Sequence, residues 1–461
     1  SRRSRAGRPD RGPSAPMMRL PRAVGMTLVA TIGCAGASGS AGGPAPAPAL
    51  SRGQFTRYVD SLVLAPAFRN AHWGVMIVNA ASGDTLYSHN AGKLFMPASN
   101  QKLLTGATAL TQLGADYRFV TTFAATGPVN AGVLSGDLVI VPSGDPTFAD
   151  HFWAGDHRNA FRAMADSLAA RGIRHIAGGM VRGATPFPGQ PCGFGWELDD
   201  LTEDYGACVQ DLFVNEGFRR VHRRRTPTDT ATVTEAIADP RGAFFDALRA
   251  AMGERGISMA GAADTARVAG RDAFSTLFAM QSPPLPAMLT RMMKPSQNQV
   301  AEILFKTVAR ERAGVGRADS ARRVMERQLM AWGIDSTDFA VRDGSGMSRH
   351  DFVTPRLLIR VLDTMRRAPT FDTWYASLPI AGVDGSLASR MRGTPAQGNV
   401  HAKTGTVDKA RTLSGYVTTA DGQLLLVSLL CNNYSVPNRD VDRVQDAILV
   451  ALASRPLPRR R

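Results

Sequence analysis

The sequence predicts an α/β fold in which an antiparallel sheet flanked by helices is assembled from both ends of the chain and interrupted by an inserted β-rich segment. Three observations predict it. Strand-like patterns stand near both ends, helical patterns lie between them, and a Gly- and Pro-rich stretch of short strands separates the first helix from the rest. With 461 residues, 44% apolar and 20% charged, the chain can bury a large core and divide into more than one domain.

Residues 1–50 read as leader and flexible linker. From Met17, MMRLPRAVGMTLVATIGCAGASGSAGG runs from a basic start through apolar residues 23–32 into small residues, the grammar of an export signal. Its apolar run is too short to span a bilayer. Met17 or Met18 is the expected start, leaving 1–16 untranslated or vestigial. Two processing outcomes stay open. TIGC is similar to a bacterial lipoprotein signal ending at Cys34, with Thr31 where an aliphatic residue is usual; plain cleavage near AGASG is the other. The protein is therefore expected to be exported, to the periplasm or cell envelope, with a membrane attachment only through Cys34.

WGVMIVNAASGDTLYSHN (73–90) is a strand, an Asn/Ser/Gly/Asp turn and a second strand. In NQKLLTGATALTQLG the side chains Leu103, Leu104, Ala107, Leu110 and Leu113 share one helical face, and Gly114 is a natural stop. Residues 121–273 carry the short strands and turns of the β-rich insert, as in GVLSGDLVIVPSGDPTF, where Asp145 reads as a turn residue. Helical patterns resume in 284–314 and 317–333. NVHAKTGTV, TLSGYVTTADG and QLLLVSLLCNN then read as three neighbouring strands, followed by the amphipathic VDRVQDAILVALAS. The main domain thus comprises 51–120 and 274–454.

The net charge of +15 is concentrated at the ends: residues 1–22 hold seven arginines and the last seven residues four more. Without them the body carries about +5, which does not call for nucleic acid. RRVHRRR (219–225) reads as a solvated loop, since it lacks the interleaved aromatics of a single-strand binder. The eight histidines show no His-x-x-x-His spacing and the four cysteines no Cys-x-x-Cys, so no metal or other cofactor is expected. Cys192 and Cys208 are either a disulfide or two thiols, and Cys431 is a small core residue.

Only six of the 54 basic residues are lysine. An arginine stays charged at any workable pH, whereas a lysine can be pushed towards neutrality and then accept a proton. Two of the six fall in motifs: Ser99-x-x-Lys102 at a helix start and Lys403-Thr404-Gly405 on a strand, with Ser296-x-Asn298 between them in a turn entering a helix. Each alone is weak; Ser-x-x-Lys should arise about twice by chance in such a chain. Chain order and structural context raise the signal, because a serine acyl-transfer site needs these contexts.

With PASNQKLLTGATALTQLG, GWELDDLTEDYGA, DGSGMSRHDFVTP, SLPIAGVDGSLASRM and VHAKTGTVDKARTLSGYV, the chain resembles the class C, type-4 penicillin-binding proteins, D-Ala-D-Ala carboxypeptidases and endopeptidases, over most of 55–450. The resemblance implies a transpeptidase/β-lactamase-like domain with inserted β domains between the first two motifs. Here 196 residues separate Ser99 from Ser296, short for that family, so a reduced insert is expected around 219–240. It also implies roles. Ser99 would attack the carbonyl between two D-alanines, and Lys102, desolvated and facing the Lys403 cation, would be the base. The backbone amides of Ser99 and Thr406 would hold the oxyanion. Ser296 would pass a proton to the leaving amine, while Asn298 meets Lys102 and the substrate amide. Lys403 and Thr404 would take the terminal carboxylate, and Gly405 would let the substrate lie against the strand. Asp200 and Arg349 match the residues that meet the ammonium and carboxylate of a diaminopimelate side chain. The expected partners are peptidoglycan stem peptides and β-lactams. Two rivals are a β-lactamase or esterase with the same serine and lysine, and a wall-binding protein with vestigial machinery.

Overall fold

A computed structural model describes residues 51–226, 229–270 and 273–456, so the leader and Cys34 lie outside the described residues. A five-stranded antiparallel sheet is built from His72–Asn79, Thr85–His89, His401–Val407, Ala410–Thr418 and Leu424–Asn432. In space Leu424–Asn432 is central, paired on one side with His72–Asn79 and on the other with Ala410–Thr418, and His401–Val407 forms an edge. Both ends of the chain therefore meet in one sheet, as the hairpin and the three C-terminal strand patterns predict.

The apolar run LLLVSLLC follows from burial on both faces, which removes the need for a polar alternate. Leu425, Val427, Leu429 and Cys431 point into a core closed by the helices Arg52–Val63 and Asn438–Ala453. Leu426 and Leu430 point to the other face, where Gln101–Leu113, Leu285–Met293, Asn298–Ala313 and Pro355–Arg366 pack. The period of two along the strand thus feeds two cores.

The inserted segment is rich in short strands, as expected, and adds two helices that its pattern did not announce. Its five-stranded sheet includes Val120–Ala125, Leu138–Val141 and Met180–Arg182, and its core is completed by the helices Arg158–Ala170 and Pro240–Glu254. Both helices bury alanines and aromatics along one stripe, a signal masked by their Gly- and Pro-rich surroundings. Ser275–Gln281 pairs with Val120–Ala125, so the expected break at 273/274 falls at the threshold of a strand of the insert's sheet. The arginine-rich 219–225 segment is not a loop: it lies in the strand Phe218–Thr226, paired with Asp229–Ala236. Strand pairing needs only backbone groups, and the Thr/Val alternation opposite was the available cue. Asp145 does sit in a turn, accepting from the Thr147 amide at 2.8 Å and hydroxyl at 2.7 Å. Cys192 and Cys208 form a disulfide.

Truncating Leu429, fully buried on the central strand, should lower the unfolding free energy by about 2–5 kcal/mol, through lost transfer energy plus a cavity. Leu64→Ala, at a position 61% exposed, should leave it nearly unchanged. Urea unfolding of the two variants tests this; equal midpoints would show that the central strand does not carry the core.

Candidate active site

Ser99 lies in the short 3-10 turn Ala98–Asn100 that leads into Gln101–Leu113. Four contacts pin this turn to the sheet. Thr412 Oγ1 donates to the Pro97 carbonyl at 2.8 Å, Asn100 Nδ2 to the Lys403 carbonyl at 2.9 Å, and the Met96 amide to Asn432 Oδ1 at 2.7 Å. The fourth is steric: a Cβ on Gly405 would stand 2.2 Å from Thr412 Oγ1 and 2.8 Å from the Ser99 nitrogen. Gly405 therefore permits close packing of the edge strand against the serine turn. Gly346, at φ +82°, makes a second close approach, since a Cβ there would overlap the Ala98 carbonyl. Ala98 itself is left-handed at φ 46°, and so is Ser296 at φ 67°, a costly conformation for either residue that the surrounding contacts must hold.

The three motifs converge. Lys102 is fully buried, and its Nζ donates to Ser99 Oγ at 2.9 Å, Asn298 Oδ1 at 2.6 Å and the Ser345 carbonyl at 2.8 Å. Burial pushes its pKa down to about 7, against the opposing pull of Asp343 and Glu302. Desolvation, the first of the two expected causes, is the main one. Lys403, also fully buried, is depressed well below the ordinary lysine value by burial and then by Lys102. Its Nζ donates to Ser296 Oγ and to the Thr404 carbonyl, both at 2.8 Å.

A cleft of about 630 Å³ opens beside Ser99. Ser296, Asn298, Thr404, Gly405, Thr406, Asp200 and Arg349 all line it; Lys102 and Lys403 lie behind its wall. Lys403 thus reaches the cleft through Ser296 and Thr404 and not by its own ammonium. Asn298 donates one amide hydrogen to the Tyr205 carbonyl at 2.9 Å, leaving the other for the cleft. Arg349 pairs with Glu197 at 3.5 Å and donates to the Asp408 carbonyl at 3.1 Å, while Asp200 accepts from the Tyr205 hydroxyl at 3.1 Å. The sequence reading missed Glu197, Tyr205, Ser345 and Ser386, whose hydroxyl sits 2.6 Å from that of Thr404. Among the described residues, Asp150, Asp156 and His157 are close enough to share a cation, but none of them lines this cleft.

A partly exposed serine hydrogen-bonded to a buried lysine, beside the edge strand of an antiparallel sheet covered by helices, defines a serine acyl-transfer enzyme of the transpeptidase-like type. The chain belongs to the D-Ala-D-Ala carboxypeptidase 3 (S13) family, whose model matches residues 55–233 and 225–455, and it is accordingly a serine-type peptidase. It is 32% identical to a D-alanyl-D-alanine carboxypeptidase of Actinomadura sp. (strain R39), over 86% of this chain and 84% of that one. Among solved structures, penicillin-binding protein 4 from Haemophilus influenzae superposes with a TM-score of 0.75 at 22% identity, covering 85% of this chain and 98% of that one. The Bd0816 predatory endopeptidase of Bdellovibrio bacteriovorus gives 0.55 at 18% identity, covering 85% and 96%. These two structures share the fold.

Because the folded pKa of Lys102 lies near 7 and the unfolded value near 10.5, the unfolded chain binds more protons between those limits. The burial cost is therefore fully present below pH 7 and relaxes as pH rises towards 10.5. The stability difference between Lys102→Met and wild type should shift in favour of wild type across this window, by up to ~1.4 kcal/mol per pH unit. Urea unfolding at pH 6 to 10 checks this; parallel profiles would mean that Lys102 is an ordinary lysine.

Proposed function

We propose that the protein cleaves the bond between two D-alanines at the end of a peptidoglycan stem peptide through an acyl-enzyme on Ser99, and that β-lactams acylate the same serine. The observation that carries this reading is the set of three acceptors around Lys102. Asn298 Oδ1 and the Ser345 carbonyl can only accept. A neutral Lys102 keeps its two hydrogens on them, and its lone pair is left for the Ser99 hydroxyl proton.

The chemistry then runs in balanced steps. Ser99 Oγ bonds to the carbonyl carbon as its proton passes to Lys102, and the oxyanion is held by the backbone amides of Ser99 and Thr406. Ser296, which accepts from Lys403, passes the proton held by Lys102 on to the leaving amine as the C–N bond breaks, so Lys102 is neutral again. Water then bonds to the ester carbonyl carbon as its proton passes to Lys102, and the bond to Ser99 Oγ breaks as that proton returns to the serine. The Thr404 and Ser386 hydroxyls face the terminal carboxylate, with Lys403 acting through Thr404 and Ser296. Asp200 and Arg349 receive the zwitterionic end of a diaminopimelate side chain, with Glu197 orienting Arg349. A substrate in the cell wall puts the protein outside the cytoplasm, with attachment through a lipid on Cys34 as an added possibility of the leader.

A fluorescent penicillin should label the wild type covalently and leave Ser99→Ala unlabelled. Lys102→Arg should also abolish labelling while keeping the cooperative melt, because an arginine cannot act as the base. An unlabelled wild type would sink the enzyme reading in favour of a wall-binding protein, and rapid turnover of the drug would favour a β-lactamase. On defined muropeptides, release of D-Ala or scission of cross-links reports carboxypeptidase or endopeptidase action. Arg349→Gln should cut activity on diaminopimelate peptides by about tenfold or more, and leave penicillin labelling largely intact.

A further inference from the structure

Among the buried polar side chains of the helix Asn298–Ala313, which include Gln299 and Thr307, three stand four residues apart and at most 7% exposed: Asn298, Glu302 and Lys306. Spacing by four stacks them along one stripe of the helix. Asn298 meets Lys102 directly. Glu302 meets it through one residue, Ser345: a carboxylate oxygen accepts from the Gly344 amide at 2.9 Å and the Ser345 amide at 2.7 Å, and the carbonyl of that same Ser345 accepts from Lys102. Thr105, one turn beyond Lys102 on the serine helix, donates to the Gly344 carbonyl at 2.6 Å. Lys306 donates to the Gln190 carbonyl at 3.1 Å.

We propose that Glu302 is a positioning residue for Lys102: it holds the 344–345 backbone so that the Ser345 carbonyl meets the lysine amine, and its negative charge stabilises the ammonium formed when Lys102 takes the Ser99 proton. The inference rests on the reading of Lys102 as the base. Every charged group facing the pair is consistent with it. Lys102 faces Glu302, Asp343 and, beyond Ser296, Lys403; Glu302 faces Asp343 and Lys306; and Asp351 lies against Asp343. Burial and the Asp343 charge raise Glu302 to about 7, opposed by Lys306 and by the two backbone hydrogen bonds. Lys102 and Glu302 consequently titrate in one window, and the charge on each depends on the other.

Glu302→Gln keeps an oxygen for the two amides and removes the charge. With only six lysines in the chain, the ¹³Cε resonances of labelled lysine can be followed individually, Lys102 being assigned by its loss in Lys102→Arg. In Glu302→Gln the Lys102 midpoint should move to lower pH, by about one unit, and the rising limb of the penicillin acylation rate should move with it. Lys306→Met, which removes the cation facing Glu302, should move the midpoint the same way by less. Glu311→Gln, on the same helix but with a half-exposed side chain, should move nothing. Glu302→Ala, which strands two amides, should lose acylation as well as stability. A folded Glu302→Gln with an unshifted Lys102 midpoint overturns the inference. A wild type that titrates as expected but is never acylated would instead overturn the function reading and leave the Glu302–Lys102 coupling standing.

Discussion

Two lysine amines buried in one small volume set the terms for the rest of the site. Removing an ammonium from water is costly unless hydrogen bonds and counter-charges replace the lost hydration. Lys102 meets that demand with three acceptors from three separate segments, and Lys403 with two. Each acceptor has to be held in place without water, which is why the surrounding backbone is so thoroughly tied. The same burial that makes the amines expensive lowers their pKa values, so the cost and the chemical usefulness have one origin.

Holding the acceptors forces local exceptions. Ala98 and Ser296 adopt left-handed backbone without being glycine, immediately before Ser99 and at the second motif serine. Ser345 turns its amide to Glu302 and its carbonyl to Lys102, and Gly346 approaches Ala98 where no side chain fits. None of these features stabilises the fold by itself; the two cores on either face of the sheet carry that load. A rigid scaffold of this kind can hold a few strained residues at the functional site.

What could be read from sequence followed the range of the interactions. Ser99 and Lys102 are one helical turn apart, and Lys403-Thr404-Gly405 is contiguous, so spacing rules located them. The sheet was legible for a similar reason: hairpin strands and a continuous apolar run are local patterns. Ser345, Tyr205 and Ser386 were not legible, because they act through contacts spanning 93 residues for Tyr205 with Asn298 and 243 for Ser345 with Lys102, and as residue types they look like loop. Glu302 did leave a trace. An acidic residue four positions from Asn298, with a lysine four further on inside NQVAEILFKTVA, is a polar stripe where helical spacing predicts core. Desolvation of Lys102 was expected, whereas Asp343 and Glu302, which oppose the shift, come from distant segments that no local pattern connects to Lys102. The Arg219–Arg225 strand was missed because charge argues about solvent, and says nothing of pairing.

The helix Asn298–Ala313 also explains why the segment inserted between the first two motifs belongs to the site. On one side Asn298 meets Lys102, and Glu302 meets the Ser345 backbone that meets it. On the other, Asn298 donates to Tyr205, Gln299 to the carbonyls of Asp204 and Ala207, and Lys306 to that of Gln190, so one helix grips both ends of the stretch closed by the Cys192–Cys208 disulfide. That stretch supplies Glu197, Asp200 and Tyr205 to the cleft, and its Trp196 indole donates to Asp343 at 2.9 Å, the carboxylate that also accepts from the Gly346 and Ser348 amides. The cleft wall and the turn that meets Lys102 therefore share their anchors. A change in the wall that released Tyr205 or Trp196 would disturb the acceptors of Lys102 without touching it, so the wall and the surroundings of Lys102 cannot vary independently.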